Sequence, residues 1–138
     1  MIDSYGTVIR LKGAPVAPVE HFGTRMDYVC ARSHLFRRSD VPFWHFSAIE
    51  DKWLPLYRKY SVAKPSTGLC AVFCAIEYLG VEEISLIGFD RLLHGKCGKY
   101  NKRERMWFAV HDGDAESKCL SELPIKVIDL VRVHEQVC

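Results

Sequence analysis

Three stretches of this chain hold residue types that could do chemistry together. Lys64-Pro65-Ser66-Thr67-Gly68 directly precedes the most regularly apolar segment of the sequence. If that segment is a helix, its first turn exposes unpaired backbone N–H groups at the positive end of the dipole. Gly68 has no side chain to hold a ligand away. Such a turn suits a phosphate or a carboxylate, and it suits equally a plain capped helix start. The second stretch is His111-Asp112-Gly113-Asp114-Ala115-Glu116. A histidine before a helix, at a cleft edge, can take a proton near neutral pH. Glu116 falls in the first turns of that helix, where a carboxylate is favoured and could orient nearby loops. The same residues also read as a surface histidine beside acidic helix-capping groups. The third stretch runs from Arg91 to Arg105. It carries Arg91, Lys96, Lys99, Lys102, Arg103 and Arg105 against Asp90 and Glu104, with Gly95, Gly98 and a central Tyr100. A basic loop of this kind could close over phosphates or simply lie in solvent. His94, Cys97, His111 and Cys119 follow no regular zinc spacing, so no metal site is expected.

These residues need a frame to bring them together. Leu69, Val72, Phe73, Ile76 and Leu79 recur at intervals of three or four, one face of a helix. Ser66 or Thr67 can cap its start, and Gly80 suits a left-handed turn after its end. Glu83 to Phe89 reads as the strand that follows. Upstream, Thr7–Leu11 and Met26–Ala31 read as strands, stopped in the first case by Gly13-Ala14-Pro15. Val41–Ala48 is a strand or an extended loop, and Trp53–Tyr60 a short helix interrupted by Pro55. Downstream, Met106–Val110 reads as a short strand, Asp114–Leu123 as a helix ended by Pro124, and Lys126–Val131 as the last strand. This alternation predicts an α/β fold, a Rossmann-like, mainly parallel sheet with flanking helices. Ligands of such sheets sit beyond the carboxyl ends of the strands, where Gly88-Phe89-Asp90 and the approach to His111 would both lie.

Composition bounds the reading. A chain of 138 residues, 49% hydrophobic and 26% charged, can bury a core as a single domain over residues 1–138. A net charge of +2 gives no general case for a nucleic-acid partner. No apolar run approaches the roughly 18 residues needed to span a bilayer, so no integral membrane segment is expected. Met1-Ile2-Asp3-Ser4-Tyr5-Gly6 lacks the basic and apolar regions of a secretory signal. Six cysteines are scattered without a CxxC pair. Cys70 and Cys74 share one helix face among apolar neighbours and are expected to be small buried thiols, a pattern that suits the reducing cytoplasm. Trp44, Trp53 and Trp107 fit a core better than a partner surface.

Taken in order, the motifs resemble those of the sialyltransferases, both the animal type (glycosyltransferase family 29) and the bacterial type (family 42). Val8-Ile9-Arg10-Leu11-Lys12-Gly13-Ala14-Pro15, followed by Phe22-Gly23-Thr24-Arg25, is similar to the later half of the family's large motif. Pro65-Ser66-Thr67-Gly68, the apolar helix and Ile84-Ser85-Leu86-Ile87-Gly88-Phe89-Asp90 are similar to its small motif. His111 and Glu116 match its His-x4-Glu pattern. The resemblance covers most of residues 2 to 118 and implies transfer of sialic acid from its cytidine-monophosphate (CMP) donor to a hydroxyl of a glycan acceptor, with inversion. It implies His111 as general base, with Glu116 in support. Ser66, Thr67 and Gly68 would hold the nucleotide largely through backbone groups, with Arg10, Lys12 and Gly88 also on the donor. Tyr100 or a neighbouring lysine would support the departing phosphate. No cofactor is implied, and a donor with one phosphate needs less metal neutralisation than a diphosphate.

Two departures stand against this. The family carries an asparagine where this chain has Lys12, and a lysine cannot copy an amide's paired donor and acceptor. The family also begins with a strand and a Gly-Asn loop that binds the donor, and this chain starts just after the place of that segment. Its loss is expected to expose a sheet edge or leave a gap in the core. Both departures favour the alternative, a catalytically inactive or truncated nucleotide-binding module of the same fold.

Overall fold

The computed structural model describes residues 2–11, 23–32, 35, 37–87 and 111–129. Five short strands and three helices occupy them: β1 (Ile9–Leu11), β2 (Tyr28–Ala31), β3 (Phe43–His45), α1 (Glu50–Lys59), α2 (Thr67–Leu79), β4 (Glu83–Leu86), α3 (Gly113–Ser121) and β5 (Lys126–Asp129). All described pairings are parallel. β1 pairs with β2 in the register Ile9–Tyr28, and β2 with β3 in the register Val29–Phe43. β4 pairs with β5, Glu83 opposite Lys126. This is the α/β, Rossmann-like arrangement that the alternation predicts, but its sheet comes in two groups, β1-β2-β3 and β4-β5.

The helix α2 is the centre of the fold. Ser66 caps it through its side chain, and Gly80 closes it in the left-handed conformation at φ 60°, both as expected from sequence. Its burial is wider than one amphipathic face. Leu69 through Ala75 are buried without a break, because strands, α1 and the turn at Phe46–Ala48 cover it from several sides. Phe73 stacks on Trp53 with ring centroids 4.3 Å apart and lies 5.3 Å from the ring of Tyr57. Trp44 is buried and Trp53 half-buried against this core; Trp107 lies outside the described residues. Cys30, Cys70, Cys74 and Cys119 are buried free thiols.

Two expectations need correction. Pro55 does not interrupt a helix beginning at Trp53; α1 begins at Glu50 and runs through it. Proline cannot donate to the carbonyl four residues earlier. That carbonyl belongs to Asp51, and both residues are exposed, so water can take the missing bond. Val41–Ala48 is neither all strand nor all loop, since three strand residues are followed by a 3-10 turn at Phe46–Ala48.

The amino-terminal residues are tied to the entrance of β2. The Asp3 carboxylate accepts from the N–H groups of Thr24 and Arg25 at 3.0 and 2.8 Å. Gly23 makes that approach possible. It sits at φ 66°, and a Cβ there would meet an Asp3 oxygen at 2.2 Å.

Candidate functional site

The start of α2 and the residues before α3 meet, although 50 positions separate Ser66 from Glu116. The Ser66 hydroxyl accepts from the Leu69 N–H at 3.3 Å, the N-cap bond. The same hydroxyl donates to Oε2 of Glu116 at 2.6 Å, and the Ser66 N–H donates to Oε1 at 2.7 Å. One carboxylate thus grips the cap from both of its polar groups. Glu116 is fully buried. Burial pushes its carboxyl pKa up, and the two Ser66 bonds oppose that shift.

His111 joins the same group. Its Nδ1 lies 2.8 Å from the Lys64 carbonyl oxygen and 3.7 Å from Oε1 of Glu116. A carbonyl can only accept, so Nδ1 carries the hydrogen and the basic lone pair falls on Nε2. The side chain is 15% exposed, shielded but reachable. Its neighbour Asp112 caps α3, accepting from the Ala115 N–H at 3.0 Å.

Thr67 and Gly68 are half-buried beside this cluster, and their N–H groups have no hydrogen-bond partner among the described residues. They are the amides of the first turn that a ligand can still use. Arg10 is held elsewhere in the described contacts. Its Nε donates to the Arg25 carbonyl at 3.1 Å, and its guanidinium lies 4.0 Å from Asp3. No described contact joins it to His111, Ser66 or Glu116. Lys12, Gly88 and Tyr100 lie outside the described residues, as do the loop from Arg91 to Arg105 and the expected strand Met106–Val110.

Two features passed unnoticed in the sequence. Arg32 follows the last residue of β2, at the carboxyl end of the sheet. Its Nη2 stands 3.7 Å from the Cys70 thiol and 3.6 Å from Glu50, with the guanidinium 5.4 Å over the Phe46 ring. Its buried Nε finds no partner among the described residues. A cation directly after an apolar parallel strand was the available signal. Asp112-Gly113-Asp114 is also an Asp-x-Asp pair, a spacing that can hold a divalent metal. The cap role of Asp112 occupies its Oδ1, and no metal-binding group of three His, Cys, Asp or Glu occurs among the described residues.

The arrangement can orient an imidazole and offer two amides at one helix start. A cavity of about 620 Å³ lies elsewhere, between β1 and β4 over α2, and none of His111, Ser66 or Glu116 lines it. Comparison with known proteins adds no relative: no family model, curated protein or solved structure matches the chain.

Proposed function

We propose that this chain is a sialyltransferase-like glycosyltransferase, acting on a CMP-sialic acid donor and the hydroxyl of a glycan acceptor. The single observation that carries the reading is the convergence of His111 on the start of α2 through Lys64, Ser66 and Glu116. Of these, Ser66, His111 and Glu116 are residues on which the sequence resembles that family.

In this reading Nε2 of His111 takes the proton of the acceptor hydroxyl. The freed oxygen forms the new bond to the anomeric carbon, from the face opposite the leaving group. The bond from that carbon to the phosphate oxygen breaks, and CMP departs with the electron pair. The amides of Thr67 and Gly68 meet negative charge on the phosphate, where stabilisation gains most as the bond breaks. The Lys64 carbonyl holds the imidazole in the tautomer that can accept. Glu116 does not touch substrate; it fixes the cap that aims these amides. Its neighbouring carboxyl also favours the imidazolium formed in the step. Four buried free thiols suit a reducing cytoplasm.

A second reading, a nucleotide-binding module without turnover, is favoured by the split in the sheet between β1 and β4. One experiment separates the two. Titration with CMP by calorimetry is followed by an assay of donor hydrolysis and of transfer to a panel of sialylation acceptors, with wild type and His111→Ala. The enzyme reading expects CMP binding by both proteins, and turnover that falls by about 10²–10⁴ in the variant. Binding without any turnover selects the module. Absence of CMP binding removes both, and equal turnover by the variant removes His111 as the base.

A further inference from the structure

A second imidazole is bonded to a hydroxyl. His45 is the last residue of β3, and Ser47 follows two positions on, in the 3-10 turn Phe46–Ala48. The parallel register sets Ala31 of β2 opposite His45, so the chain leaving β2 passes the ring. Nε2 of His45 lies 2.5 Å from the Arg32 carbonyl oxygen, and Nδ1 is hydrogen-bonded to the Ser47 hydroxyl. A carbonyl only accepts, so Nε2 carries the hydrogen. In the neutral ring Nδ1 then holds the lone pair, and the Ser47 hydroxyl is the donor. The three groups stand in the order nucleophile, base and orienter of the base. The turn that carries them is fixed by packing. Phe46 is fully buried, with its ring 6.0 Å from that of Tyr57 and 6.2 Å from that of Phe73. The Ile49 N–H closes the turn on the Phe46 carbonyl at 3.0 Å. Groups held by packed elements keep their geometry. Ser47 itself is exposed, at the carboxyl ends of β2 and β3, the side on which ligands of parallel sheets bind.

We propose that Ser47 is a nucleophile activated by His45, and that the pair hydrolyses short-chain carboxylic esters. Nδ1 of His45 takes the Ser47 proton as Oγ bonds to the acyl carbon. The bond from that carbon to the alcohol oxygen breaks, and the alcohol leaves with the proton returned by His45. Water then attacks the acyl carbon and gives its proton to Nδ1. The bond to Oγ breaks, the carboxylic acid leaves, and Oγ recovers the proton. One ester and one water yield one acid and one alcohol. The Arg32 carbonyl holds the imidazole in the tautomer that can accept, and its partial negative charge favours the imidazolium formed on the way. Arg32 contributes a second time through its side chain, whose guanidinium lies 5.4 Å over the ring of Phe46, the residue between His45 and Ser47. That sets a positive charge beside the turn where negative charge grows on the ester carbonyl oxygen. The exposed position of Ser47 suits a short acyl group, which needs no buried apolar pocket to hold it.

Two probes test the pair on the full chain. A biotinylated fluorophosphonate, which loses fluoride to an activated serine, is followed by peptide mass spectrometry. Hydrolysis of p-nitrophenyl acetate is followed by absorbance. The expected adduct maps to Ser47. Hydrolysis should fall about a hundredfold in Ser47→Ala and in His45→Gln, and fluorophosphonate labelling should slow about tenfold or more in His45→Gln. Ser47→Ala keeps the imidazole, so it measures what a bare histidine does to the ester. If either variant loses its near-UV circular dichroism, the mapped adduct on the wild type carries the test. No adduct on the folded wild type, or an adduct on another serine, overturns the proposal. Hydrolysis retained by a folded Ser47→Ala overturns it as well, since the imidazole alone would then account for turnover. Equal labelling of a folded His45→Gln removes the activation and with it the proposal. Both assays run without nucleotide, so their outcome is independent of the transfer reaction.

Discussion

Replacing Ser66 with alanine removes two bonds made by one hydroxyl. The Leu69 N–H loses its cap acceptor at 3.3 Å, and Oε2 of Glu116 loses its donor at 2.6 Å. Loss of an N-cap costs about 1 kcal/mol. The second loss is larger, because Glu116 is fully buried and a stranded buried acceptor costs about 1–3 kcal/mol. Together they give a destabilisation of about 2–4 kcal/mol, or roughly 6–20 °C in Tm for a domain of this length. Urea and thermal unfolding of Ser66→Ala, Glu116→Ala and the double variant measure the pair directly. Either single change strands the other partner, so the double variant should cost less than the two singles combined, with a coupling of about 1–3 kcal/mol. Ser66→Thr keeps the hydroxyl and should lose little. A cost below about 0.5 kcal/mol for Ser66→Ala, with no coupling to Glu116, would refute the claim that this contact joins α2 to α3.

Gly68→Val should weaken CMP binding about tenfold by crowding the first-turn amides, with circular dichroism unchanged; unchanged affinity would leave the helix start as a cap and nothing more. Burial raises the Glu116 carboxyl above its ordinary value of 4.5, so the folded chain holds that proton more tightly than the unfolded one. Its contribution to stability is fully present below pH 4.5 and is lost as pH rises through the raised value. Glu116→Gln should therefore gain on wild type as pH climbs from 4 to 8, and a constant gap in urea midpoints across that range would contradict the shift. Burial also pushes the Cys70 thiol up to about 12 and the Cys119 thiol to about 11. In a Cys97→Ser, Cys138→Ser background, native protein at pH 8 should resist iodoacetamide for as long as the urea-unfolded chain takes to react fully. Rapid native labelling would show that these thiols are not enclosed.

Sequence by itself determined the elements whose signals lie within a turn or two of chain. The apolar spacing from Leu69 to Leu79, the Ser66 cap and the Gly80 terminator are all local, and α2 follows them. The parallel α/β layering follows from the alternation of such elements. Local signals misjudged Pro55, because whether a proline ends a helix depends on whether water reaches the carbonyl it leaves behind. Tertiary structure alone decided the partner of the cap. Nothing in the spacing of Ser66 and Glu116 says that a carboxylate 50 residues away is buried against it. The role of Arg32 and the break between β1 and β4 are of the same kind. Pairing across such separations is set by which faces pack on α2 and which backbone edges then find a neighbour, and a local pattern carries neither.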